Sequence, residues 1–129
     1  MGLQKYEDLI VWQKAMDLVV EVYRLAKLLP SDEIYALSSQ MKRAAVSIPS
    51  NIAEGQERKT TKDFINYLHI AKGSKGELET LLLICVRLQY LTQSQIATAQ
   101  NLLGEIGKML NALIQCLAAK FPRPQLSSH

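Results

Sequence analysis

Near the start of the chain, Trp12, Ala15, Val19, Val22, Ala26 and Leu29 recur at alternating spacings of three and four. A stripe of that period is the seam a helix buries in a bundle. Its beginning falls near Glu7-Asp8, whose charges suit the positive end of a helix dipole. Leu29-Pro30 ends it, because the residue before a proline is pushed out of the α region. The pattern predicts a first helix over about residues 8–29.

Ser31-Asp32-Glu33 then reads as an N-cap with an acidic first turn. Ile34, Leu37, Met41, Ala44, Ile48, Ile52 and Ala53 carry the same seam forward, with Pro49 inside it. Pro49 lacks a backbone donor and crowds the preceding turn, which leaves two readings. One is a kinked helix over about residues 33–55 with Gly55 as its C-cap; the other stops at Ile48. The apolar positions after Pro49 favour the first.

Gln56 to Thr61 is the most polar connection, and Thr60 or Thr61 caps a long third helix with Asp63 in its first turn. Phe64, Tyr67, Ala71, Ser74, Leu78, Leu81, Cys85 and Leu88 form its seam, predicting helix over about residues 61–90. Gly73 and Gly76 within it each cost about 1 kcal/mol relative to Ala, a cost usually offset by close packing or a partner's backbone. Thr92-Gln93-Ser94-Gln95 is a capping-box pattern. Ile96, Ala99, Leu103, Ile106, Leu110, Leu113 and Leu117 follow, predicting a fourth helix over about residues 93–119. Phe121-Pro122-Arg123-Pro124 stops it, and residues 122–129 are expected to be disordered. Short connections between such helices imply one all-α domain over residues 1–121, an antiparallel up-down-up-down four-helix bundle.

Two of these helices carry more apolar surface than a single bundle needs. Leu81 to Val86 is apolar all round, and Leu102, Met109 and Cys116 make a second line beside the fourth seam. A helix apolar on every side must be covered on every side. Self-association follows as an expectation, with Leu83, Ile84, Val86, Leu102 and Met109 as interface candidates of a homo-oligomer.

Charge adds an address. The 129 residues carry a net +3, but residues 41–76 hold seven basic side chains against three acidic ones. That segment is +4 and the remainder −1. Its cations, Lys42, Arg43, Arg58, Lys59, Lys62, Lys72 and Lys75, are the candidate nucleic-acid contacts. Lys62, Asn66, His69, Lys72 or Gly73, and Gly76 share one side of the third helix, opposite its seam. A patch joining the second and third helices suits phosphates, with glycines allowing a backbone close approach. The competing reading is an ordinary solvated face.

Catalytic and metal chemistry find no support. Di-metal bundles need Glu-x-x-His pairs, and His69 has Asn66 where that motif needs Glu; the other histidine is His129. Gly73-Ser74-Lys75-Gly76 lacks the spacing and preceding strand of a phosphate loop. Cys85 and Cys116 lie on apolar runs without ligand spacing and read as small hydrophobes in a reducing compartment. No enzyme, no cofactor and no metal are expected. The beginning of the chain lacks a signal peptide's apolar core, and the longest uninterrupted apolar run, Leu81 to Val86, is too short for a bilayer. A cytoplasmic protein without a membrane partner is expected.

The run Gln40 to Gly55, with its Ser47-Ile48-Pro49-Ser50-Asn51-Ile52-Ala53-Glu54-Gly55 core, resembles the bacterial 23S rRNA intervening-sequence proteins. Phe64, the run Leu68 to Ser74, and Glu77-Leu78-Glu79 match a second signature of that family, and Trp12, Ala15 and Leu18 match its first helix. The same family includes the accessory (Avd-like) proteins of diversity-generating retroelements. The resemblance implies a four-helix protomer in a homopentameric barrel with a basic surface. It implies a non-catalytic oligomer that binds RNA or DNA, with RNA favoured. The alternative it carries is a protein-interaction scaffold, such as an accessory subunit for a reverse transcriptase.

Overall fold

The computed structural model describes residues 5–120 and is all-α among them. Four long helices, α1 (Ile10–Ala26), α2 (Leu37–Gln56), α3 (Thr61–Arg87) and α4 (Ala97–Lys120), form the antiparallel bundle the seams predict. α2 packs most extensively on α3; α1 and α4 complete a square whose diagonal pairs, α1 with α3 and α2 with α4, do not touch. The stop signals after Lys120 and the tail lie outside the described residues.

The helix starts hold two differences from the sequence reading. Glu7 and Asp8 sit in a 3-10 turn, Tyr6–Asp8, and α1 begins after it. Tyr6 meets Trp12 edge-on, with centroids 5.4 Å apart. Ser31-Asp32-Glu33 likewise forms a 3-10 turn rather than the first turn of α2, which starts at Leu37. Ile34 therefore leaves the seam and is 53% exposed. Glu33 still serves the helix: Oε1 accepts from the Leu37 amide at 3.4 Å, and Oε2 accepts from the Tyr90 hydroxyl at 2.8 Å. One carboxylate thus ties the start of α2 to the α3–α4 connection.

α2 is helical through Pro49, which is buried, and ends at Gln56. The reading that stops at Ile48 is excluded. Gly55 is not the C-cap; it lies inside the last turn, buried against α3. A Cβ there would stand 2.8 Å from Phe64 Cδ1 and 2.8 Å from Tyr67 Cβ. Glycine is required because α3 crosses α2 where any side chain would be.

Thr60 caps α3 by accepting from the Asp63 amide at 3.1 Å. The helix ends earlier than residue 90. Tyr90 N–H bonds to the Cys85 carbonyl at 2.9 Å and Gln89 N–H to the Val86 carbonyl at 3.0 Å, with Gln89 at φ 65°. This is a Schellman stop with glutamine in the left-handed position that usually belongs to glycine. Leu88, assigned to the seam, is 50% exposed as a consequence. Thr92 and Gln95 do form the capping box, each side chain accepting from the other's amide at 2.9 and 3.0 Å. It closes the turn that precedes α4.

The core includes Leu18, Leu25, Met41, Ile48, Ile52, Leu68, Leu78, Leu82, Ile96, Leu103, Ile106 and Leu110, all fully buried. Trp12 and Val19 lie at its edge instead. Between α2 and α3, Asn51 Nδ2 donates to the Ser47 carbonyl and to Ser47 Oγ at 2.8 and 2.9 Å. The Ser47 hydroxyl stands 2.7 Å from that of Ser74. α4 is long and apolar enough to cross a membrane by length and composition, although its longest unbroken apolar run is short, and only 22% of that window is buried.

Two glycine substitutions separate close packing from helix propensity. Gly55→Ala costs about 1–3 kcal/mol despite alanine's better propensity, because the helices must part. Gly104, where an added Cβ meets nothing within 4 Å, shows the opposite sign: Gly104→Ala stabilises by about 0.5–1 kcal/mol. Urea midpoints of the two variants measure both.

Candidate nucleic-acid interface

The close approach at Gly55 sets the geometry of the α2–α3 corner. It brings Tyr67 beside the end of α2, and the four residues that join the helices carry Arg58 and Lys59. Arg58 lies over the Tyr67 ring, 4.9 Å from its centroid, and donates to the Tyr67 hydroxyl. Its Nη2 also pairs with Glu54 at 2.7 Å. A guanidinium held over an aromatic ring and tied to its hydroxyl loses less freedom when it meets a phosphate or a base. Lys59 and Lys62 are exposed beside it and make no ion pair among the described residues. The corner also holds Glu54, Glu57 and Asp63, so its three cations are matched in formal charge, and what sets Lys59 and Lys62 apart is that neither is engaged in an ion pair among the described residues.

Of the seven predicted cations, the structure gathers Arg58, Lys59 and Lys62. Lys42 and Arg43 stand about 22 Å away along α2, fifteen residues at 1.5 Å each. Lys42 is engaged with α1, its ammonium 5.0 Å from the centroid of Tyr23. Lys72 is half-buried on the α3 side wall. Lys75 does not belong to the patch. It turns toward α4, pairing with Glu79 at 3.0 Å and filling the space a side chain at Gly107 would take, with Cε 2.6 Å from that Cβ position. Periodicity could not show this, because it depends on a glycine in another helix.

The outer side of α3 otherwise agrees with the helical spacing. Lys62, Asn66, His69, Gly73 and Gly76 are all exposed, and neither glycine has a neighbour within 4 Å of a Cβ position. Farther along, Thr80, Leu83, Ile84, Arg87 and Leu88 line a shallow depression. Among the interface candidates, Leu83 and Ile84 are 48% and 38% exposed. Val86, Leu102 and Met109 instead pack against the protomer's own core. The outer wall of α1 adds exposed apolar residues that the seam reading passed over: Ile10, Met16, Val20 and Tyr23.

Among the described residues no group of three or more His, Cys, Asp or Glu side chains is placed to hold a metal ion. Cys85 is buried and donates to Met41 Sδ at 3.6 Å, and burial pushes its thiol up to about 11. Cys116 is exposed.

A family described as 23S rRNA-intervening sequence protein matches residues 7–112. The fold is shared with a crystal structure, at 1.70 Å, of a protein of unknown function from the S23 ribosomal protein family of Bacteroides thetaiotaomicron VPI-5482. The two are 32% identical with a TM-score of 0.76, over 82% of this chain and 96% of that one. No curated protein matches the chain. None of the names in these comparisons is that of a catalytic family.

The thiols give a test of the packing of the bundle. At pH 8 a group titrating near 11 is thiolate to only about 0.1%. A neutral maleimide is therefore expected to modify Cys116 promptly and Cys85 only after unfolding, read by intact mass with and without denaturant.

Proposed function

The chain belongs to the 23S rRNA-intervening sequence protein family, and from that premise we propose that it is a non-catalytic, self-associating nucleic-acid-binding protein. Its partner is RNA, met as phosphate backbone by Arg58, Lys59 and Lys62, with Lys72, Lys42 and Arg43 as outlying contacts. The observation that carries this reading is the α2–α3 corner. There a guanidinium lying over the Tyr67 ring and paired with Glu54 stands beside two lysines that form no ion pair among the described residues. Three such cations bind weakly alone. A homo-oligomer repeats them once per subunit and converts later contacts into intramolecular ones.

A second reading draws on the opposite end of the bundle. Tyr35 is 95% exposed there, with Ile34 at 53%, Leu28 at 47% and Leu88 at 50%. The Glu33–Tyr90 bond brings the two connections carrying them together. An apolar end of this kind suits a protein partner such as a polymerase, including a reverse transcriptase, and makes the chain a scaffold.

Titration of labelled structured RNA at two salt concentrations separates the readings. Affinity is expected to fall steeply with salt, and replacing Arg58, Lys59 and Lys62 by Ala to reduce the slope of log K against log salt by about 2 to 3 without altering oligomer size. RNA affinity that ignores salt or the triple substitution overturns the first reading and leaves the scaffold.

A further inference from the structure

We infer that the RNA taken by the α2–α3 corner is unpaired, with one base stacking on the Arg58 guanidinium while Lys59 and Lys62 hold the flanking phosphates. The inference rests on the nucleic-acid reading above and narrows it from RNA in general to single-stranded segments.

The charge at the corner is small for a duplex. Arg58, Lys59 and Lys62 stand against Glu54, Glu57 and Asp63, three cations against three anions. Arg58 is paired with Glu54, whereas Lys59 and Lys62 form no ion pair among the described residues. Two free lysines neutralise about two phosphates, against the roughly 6–10 phosphate contacts of a strongly salt-dependent duplex binder. Backbone contacts alone therefore leave most of the affinity to be found elsewhere.

The corner has surface for bases. Arg58 lies 4.9 Å from the centroid of the Tyr67 ring, and its edges are held by Glu54 at 2.7 Å and by the Tyr67 hydroxyl, which accepts from it. With the ring beneath it and 42% of its side chain exposed, the guanidinium keeps a face toward solvent. Glu54 already answers its charge, so what Arg58 presents is a planar, weakly hydrated face more than a free cation. Bases stack on guanidinium planes when they are splayed out of a helix; paired bases have their faces covered by their neighbours.

α3 extends the same surface. Ile70 is 50% exposed, about one turn on from both Asn66 and Tyr67. An isoleucine in water beside the corner does nothing for a phosphate, but it suits the face of a base. Asn66 and His69 are exposed on the side of α3 that Lys62 shares. The Asn66 amide carries both a donor and an acceptor, which matches the edges that only unpaired bases leave free. Stacking face, apolar rest and edge-reading amide thus lie beside the two lysines.

The test measures the affinity of the full chain for three labelled RNAs of one length at one salt concentration. They are an unstructured single strand, the same strand with abasic residues at its central positions, and its perfect duplex. The abasic strand keeps every phosphate and lacks the faces. A stacked base contributes a gain of roughly 5- to 150-fold, so the intact single strand is expected to bind at least about 5-fold tighter than either competitor. Arg58→Lys keeps the charge and loses the plane. With its fold confirmed by circular dichroism, it is expected to lose most of that advantage while the slope of log K against log salt stays unchanged. An abasic strand or a duplex that binds as well as the intact strand, or an Arg58→Lys protein that keeps the full preference, overturns the stacking inference and leaves nucleic-acid binding standing. Failure of all three RNAs to bind at low salt overturns both.

Discussion

At Gly55 the helices α2 and α3 come closer than any side chain permits, and much of the molecule is arranged around that contact. Phe64 and Tyr67 occupy the space a Cβ would need. Because the two helices meet so near their shared end, four residues suffice to join them. Tyr67 is then close enough for Arg58 to lie on its ring. Packing, turn length and the posture of one cation all follow from one missing methyl group. The contact also explains why α2 continues past Pro49: its last turn is held from outside by α3, which offsets the donor the proline lacks.

The surface has two characters that the net charge conceals. The cations of residues 41–76 are divided among an open corner, an engagement with Tyr23, and a lysine stem laid over Gly107. The apolar surplus is divided as well, between α1 and the far half of α3. Polar residues dominate the α3 wall below Gly73, and large apolar ones, Leu83, Ile84 and Leu88, stand exposed above Gly76.

The bundle was legible because alternating three- and four-residue spacings leave few alternatives for a chain this short. What misled were signals with two physical meanings. Ser31-Asp32-Glu33 has the chemistry of a helix start, yet the same residues close a 3-10 turn, and Glu33 reaches α2 from a turn away. Gly55 has the chemistry of a C-cap, but it serves as a crossing point. The end of α3 had no signal to read, since Gln89 takes a left-handed conformation without being Gly or Asn. A single stripe per helix also missed Leu18, Leu25, Leu68 and Leu82, because each helix faces two neighbours and buries a wider face than an a/d seam. Of the candidate site, the corner cations and the exposed side of α3 could be read from spacing. The withdrawal of Lys75 and the apolar wall of α1 could not, as both depend on which helix lies alongside.

The small polar node of Ser47, Asn51 and Ser74 has a consequence for how the chain folds. Asn51 donates to Ser47 Oγ, so the Ser47 proton is free to point at Ser74 across the helix pair. Leucine and isoleucine rows alone would let α2 slide along α3 by a turn at little cost, since one apolar residue replaces another. A slid pair would leave hydroxyls and an amide facing hydrocarbon, each a penalty of about 1–3 kcal/mol. The node contributes little net stability, yet it makes the misaligned dockings expensive. Together with the crossing at Gly55, it makes one alignment of α2 on α3 favoured over the slid ones.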